Sequence, residues 1–146
     1  MLYSMSTQRL IAAPIADVWS AWADPLRWSQ WVMMDMTSDF RAGGRFSNGK
    51  GEGGMYKRIS EPSLLMFTWD MSRYQSGSSV EVYITEQGDQ TLCRLDHVAL
   101  QHIDDMHDAE VGWAWAMDSL KTFLETGAPL SWEQWEAGAQ AKLPQA

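Results

Sequence analysis

The chain has 146 residues, enough for one domain that buries roughly 70% of its unfolded surface and too few for a two-domain enzyme. Apolar residues make up 45% and charged residues 21%, which excludes a disordered acidic polymer. Nineteen acids against eleven bases give a net charge of −8, which repels DNA, RNA and anionic headgroups at long range, so no nucleic-acid partner is expected.

The one cysteine, Cys93, cannot form an internal disulfide, and the opening MLYSMSTQRL lacks the basic-then-apolar layout of a secretory signal. The expected location is cytoplasmic. Apolar runs are only a few residues long, far short of the roughly 20 that a membrane helix needs, so no integral membrane association is expected. The anomaly is nine Trp and ten Met, an excess of large, soft side chains suited to ligands of varied shape.

Residues 6–12 alternate weakly and suit a first strand, stopped by Ala13-Pro14. Ile15, Val18, Trp19 and Trp22 then recur at helical spacing, with Pro14 in the first turn, where its missing N–H costs nothing. Asp24-Pro25 breaks that helix and starts a second, capped by Asp24, with Trp28 and Trp31 on one face.

From residue 36 to 100 the pattern is strand after strand, with no helical stretch long enough for a crossover, which predicts an antiparallel sheet. The strands are 36–41, 45–48, 54–59, 64–70, 79–87 and 90–100. Parity puts Leu65, Phe67 and Trp69 on one face with Val80, Val82 and Ile84, and with Cys93, Leu95, His97 and Ala99. The other face carries Thr68, Glu81, Tyr83, Thr85, Arg94 and Asp96 and is wet.

Residues 109–126 make the clearest helix, with Trp113, Ala116, Met117, Leu120, Phe123 and Leu124 as its apolar stripe. Asp108 is its expected N-cap, and Gly127 with Pro129 ends it. The domain thus spans 1–127. Residues 128–146 form a C-terminal extension in which Ser131 and Gln134 fit a capping box ahead of a short helix bearing Trp132 and Trp135. Those indoles cover either the domain's own surface or a second copy, which makes the extension a candidate homodimer contact.

Several fragments carry a family resemblance. They are Ala13-Pro14, Val18-Trp19, Ala21-Trp22 and Asp24-Pro25; Trp28 and Trp31; Asp39, Arg41 and Gly43-Gly44; Glu61-Pro62; Phe67-Thr68-Trp69; the strand of His97; and Gly112-Trp113 with Leu120 and Leu124. In this order they resemble the SRPBCC (START-like, birch-allergen-like) superfamily. Within it, they are most similar to the branch named after the C-terminal domain of the activator of the heat-shock protein 90 ATPase. The resemblance covers about residues 7–126. It implies an α+β helix-grip fold, in which a curved antiparallel sheet wraps around a long C-terminal helix, with two short helices after the first strand and an apolar cavity between sheet and helix.

The expected function is binding of a small apolar or amphipathic molecule in that cavity, as a carrier or sensor. The candidate lining is Trp31, Phe67, Trp69, Val82 and Leu95, with Trp113, Met117 and Leu120 from the helix, and His97 as a polar group that orients the ligand. Tyr56 and Arg45 are further orienting candidates. The alternatives are a cyclase- or dehydrase-like enzyme using the same cavity and a protein-interaction or co-chaperone-like module.

No catalytic residue and no cofactor is assigned. His97 has no evident catalytic partner in the sequence. His97, His102 and His107 with Asp104, Asp105 and Asp108 are spread over a strand and a connection, so a solvated loop accounts for them better than a metal. The glycine-rich run 43–54 lacks the Lys-Ser/Thr pair and the following helix of a phosphate cradle, and reads as tight turns and a mobile loop able to gate the cavity.

Overall fold

The computed structural model describes residues 1–70 and 77–141. Strand β1 (Tyr3–Ile11) leads into helices α1 (Ile15–Ala23) and α2 (Pro25–Val32). Six strands follow: β2 (Thr37–Ser38), β3 (Arg45–Ser47), β4 (Gly53–Ser60), β5 (Leu64–Thr68), β6 (Ser79–Gln87) and β7 (Gln90–Leu100). Then come α3 (Ile103–Thr126) and α4 (Trp132–Ala141). The strands form one seven-stranded antiparallel sheet in the order β1-β7-β6-β5-β4-β3-β2, so only the β1–β7 pair joins strands distant in sequence. This is the α+β helix-grip arrangement, with α3 lying across β1 and β7.

Local chemistry explains the first helices. The carbonyl of Pro14 accepts from the N–H groups of Asp17 and Val18, so Pro14 occupies the N-cap position and the helix proper begins at Ile15. The Asp24 carboxylate accepts from Leu26 N at 2.9 Å and caps α2, with Pro25 in its first turn. The paired helices bury Val18, Trp19, Trp22, Trp28 and Trp31 against the sheet.

Three expectations are corrected. The strand expected over 36–41 shrinks to Thr37–Ser38, because residues 39–44 close a tight turn through Arg41 N to Asp39 O and Gly44 N to Arg41 O. A Cβ on Gly44 would sit 1.9 Å from the Asp39 carbonyl oxygen, so only glycine fits there. Helix α3 begins six residues before the expected Ala109, and Asp108 lies in its second turn rather than at its cap. Those early turns are largely polar and exposed, so no apolar stripe marks them, while Asp104 and Asp105 suit the positive end of the helix dipole.

Ala99 is the third correction. Tyr3 pairs with Leu100 and Met5 with His97, so two residues of β7 oppose Ser4 alone, and Ala99 takes a left-handed φ of 61°. This β-bulge reverses the parity, and Leu100, not Ala99, is the buried residue.

The glycine-rich connection between β3 and β4 is organised by Asn48, which is buried. Its Oδ1 accepts from the N–H groups of Lys50 and Glu52, and its Nδ2 donates to Glu52 Oε1 at 3.1 Å. Helix α3 is fixed to the β1 edge by Arg9–Asp118 at 2.6 Å, by Lys121 Nζ to Leu10 O, and by Ala12 N to Glu125 Oε2. Among the described residues no helix is long and apolar enough to cross a membrane.

Candidate functional site

The middle of the grip is filled. Trp31, Phe67, Val82, Leu95, Met117 and Leu120 are all fully buried and belong to one continuous core. Open space lies instead toward the N-terminal half of α3, where a cavity of about 160 Å³ remains. One wall is Trp28 and Val32 from α2, with Met34 and Met36 just beyond it. Trp69, following β5, and Glu52, ahead of β4, make the second.

Helix α3 supplies the third wall through Asp108, Ala109, Gly112, Trp113, Trp115 and Ala116. The hollow exists because Ala109, Gly112 and Ala116 fall on one helical face and are too small to reach the opposite side. A Cβ built on Gly112 would meet nothing within 4 Å.

Stacked and edge-on rings hold the aromatic walls. Trp69 meets Trp113 edge-on at 5.2 Å, Phe46 stacks on Trp69 at 6.0 Å, and Trp28 lies 5.2 Å from Phe46. Trp115 is held by residues that follow α3: its Nε1 donates to Leu130 O at 2.8 Å and its ring meets Trp132 at 6.2 Å.

Trp135 Nε1 in turn donates to Asp118 Oδ2 at 2.9 Å, so the extension is anchored on α3. Ser131 and Gln134 form the reciprocal capping box of α4. Residues 142–146 of the extension lie outside the described residues.

Behind the cavity runs a buried polar chain. Indole nitrogen can only donate, so the 3.1 Å contact from Trp113 Nε1 makes His97 Nδ1 an acceptor and places the imidazole proton on Nε2. That nitrogen lies 3.1 Å from Ser78 Oγ, which donates to the Trp69 carbonyl at 3.0 Å. The chain ties two of the four wall tryptophans, Trp113 and Trp69, to one fully buried imidazole. Burial pushes His97 down to about 4, so it is neutral at pH 7.

A model of the family described as Activator of Hsp90 ATPase homolog 1-like protein matches residues 12–125. The chain belongs to this family. No curated protein matches the sequence. Among solved structures, the solution structure of CalU16 from Micromonospora echinospora is 30% identical and superposes with a TM-score of 0.80 over 92% of this chain and 72% of that one. The Aha1 dimer from Colwellia psychrerythraea has a TM-score of 0.77 at 19% identity, over 86% of this chain and 98% of its own. An HSP90 activator from Plasmodium falciparum has a TM-score of 0.75 at 17% identity, over 86% and 97% respectively. The last two share the fold.

In this family member the residues singled out from sequence divide into two groups. Trp69 and Trp113 line the cavity. Trp31, Phe67, Val82, Leu95, Met117 and Leu120 do not line it and pack as core, while His97 touches the lining through Trp113. Tyr56 is buried with its hydroxyl 2.7 Å from Ser38 Oγ, and burial pushes that hydroxyl up to about 12. Arg45 is exposed and faces an adjoining groove beside the glycine-rich connection, which shares Glu52 with the cavity.

The residues missed were Trp28, Val32, Met34, Met36, Glu52, Asp108, Trp115 and the small stripe Ala109-Gly112-Ala116. That stripe was the readable signal, since a gap is made by what is small. His102 and His107 are exposed near the start of α3, and His107 pairs with Glu110 at 3.3 Å. Among the described residues no three His, Cys, Asp or Glu groups converge as a metal site.

Proposed function

We propose that this protein binds a small, largely apolar or amphipathic molecule in the cavity between α2, the end of β5 and the N-terminal half of α3, as a carrier or sensor. One observation carries the reading: beside a core of fully buried side chains lies a hollow lined by Trp28, Trp69, Trp113 and Trp115. Roughly 150 Å³ is enough for one benzene ring, so the cavity of about 160 Å³ suits a single ring or one ring of a larger guest. Burying about 200 Å² of ring surface contributes about 5 kcal/mol before ordering costs, which sets the dissociation constant on the order of a millimolar.

The enzyme reading finds less support. His97 is neutral, buried and bonded to Trp113 and Ser78, so it offers no exposed base to a guest. The docking of Trp132 and Trp135 around Trp115 and Asp118 favours an intramolecular role for the extension over a homodimer contact.

The test is titration of the 15N-labelled protein with 2-phenylethanol while the indole N–H resonances are followed. Saturable shifts at Trp113 and Trp115 are expected, and Gly112→Leu, which fills the hollow with a better helix former, abolishes them while keeping the fold. Saturation that Gly112→Leu leaves unchanged would place binding elsewhere and overturn the proposal.

A further inference from the structure

We infer that the guest of this cavity carries a cationic head, an organic ammonium attached to an apolar or aromatic body. The inference rests on the cavity being the binding site, as proposed above. The charged groups in its described lining are both carboxylates, Glu52 and Asp108. Glu52 is the decisive one. It is half-buried, its Oε1 is held by Asn48 Nδ2 at 3.1 Å, and among the described residues no Lys, Arg or His forms an ion pair with it.

A carboxylate drawn partly out of water beside indoles loses hydration that no cation among the described residues replaces through an ion pair, and a ligand ammonium would replace it. The same walls favour that charge a second time, because the faces of tryptophan attract cations more strongly than those of other rings. Asn48 fixes the carboxylate in place before a ligand arrives, which lowers the ordering cost of binding. Over longer distances the net charge of −8 draws cations toward the protein and turns anions away. An anionic guest, such as a fatty acid, would meet Glu52 and that field together.

The experiment compares three probes of nearly equal shape on the unaltered protein at low salt: 2-phenylethylammonium, 2-phenylethanol and 3-phenylpropionate. Indole resonances are read as before. The ammonium is expected to bind about tenfold tighter than the alcohol, with the carboxylate weakest, and the advantage shrinks as salt is raised.

Glu52→Gln keeps an oxygen for Asn48 and removes only the charge. It should bring the ratio of ammonium to alcohol affinity down from about tenfold to about one, and a ratio that stays near tenfold would overturn the role of Glu52. Alcohol binding equal to or tighter than the ammonium would overturn the cationic head and leave the cavity standing. No saturable shift with any of the three would overturn both.

Discussion

Trp113 hands its indole proton to His97 across 3.1 Å, so a wall of the cavity is oriented by a residue that never reaches the cavity itself. The imidazole can accept that proton only while its own Nδ1 is bare. Protonation of His97 would set two donors face to face and push Trp113 out of its place.

The pH dependence follows from burial, which lowers His97 from its ordinary 6.5 to about 4. Between those values the unfolded chain binds the proton and the folded one does not. The stabilisation from this residue is therefore complete above pH 6.5, and about 3 kcal/mol is lost as pH falls toward 4. Glu125, held low by the Ala12 N–H and Lys121, loses its contribution only below its ordinary 4.5. Urea unfolding from pH 7 to 4 should show the slope, and His97→Gln, which can still accept from Trp113 and donate to Ser78, should flatten it above pH 4.5. An unchanged slope in that variant would assign the effect to other groups.

Two glycines should respond in opposite directions to the same substitution. A Cβ at Gly54 would sit 2.0 Å from the Thr68 carbonyl oxygen, so Gly54→Ala forces β4 away from β5 and costs about 1–3 kcal/mol. Gly112 has open space, and Gly112→Ala should stabilise α3 by about 0.5–1 kcal/mol. Thermal midpoints of both variants check the pair.

Trp132 is 38% exposed, yet its ring lies against both Trp115 and Trp135. Replacing it with alanine should cost about 1 kcal/mol and broaden the Trp115 indole resonance. Affinity for an aromatic guest should fall as that wall loosens. Chemical denaturation and the indole spectrum of Trp132→Ala measure both effects, and a rigid, unshifted Trp115 would show that the extension does not hold the wall.

Cys93 is fully buried and burial pushes its thiol up to about 12. The native protein should resist iodoacetamide at pH 8 for as long as it stays folded, and react fully in urea. Mass spectrometry of the timed reaction reads this directly.

Much of the fold was legible because each element carries its own signal. The alternation that placed β6 and β7 over 79–87 and 90–100 coincides with the strands found. The Asp24 cap and the Ser131–Gln134 box were readable because local hydrogen bonding sets them without help from distant residues.

The start of α3 was hidden because its first turns face solvent and need no apolar period. Ala99 was misread because a bulge depends on the partner strand, which strict alternation along one strand does not register. The cavity was the least legible part. Large residues such as Phe67 and Met117 advertise contact, while the space itself is decided by Ala109, Gly112 and Ala116 and by how far away their partners stand.

The doubled residue opposite Ser4 works as a reading-frame correction written into the backbone. Were the same sequence held to strict alternation there, with no bulge, everything downstream would rotate by half a pleat. Leu100 would then swing to the outside, and α3 would depart at an angle that carries its tryptophan out of reach of the histidine three residues upstream of that leucine.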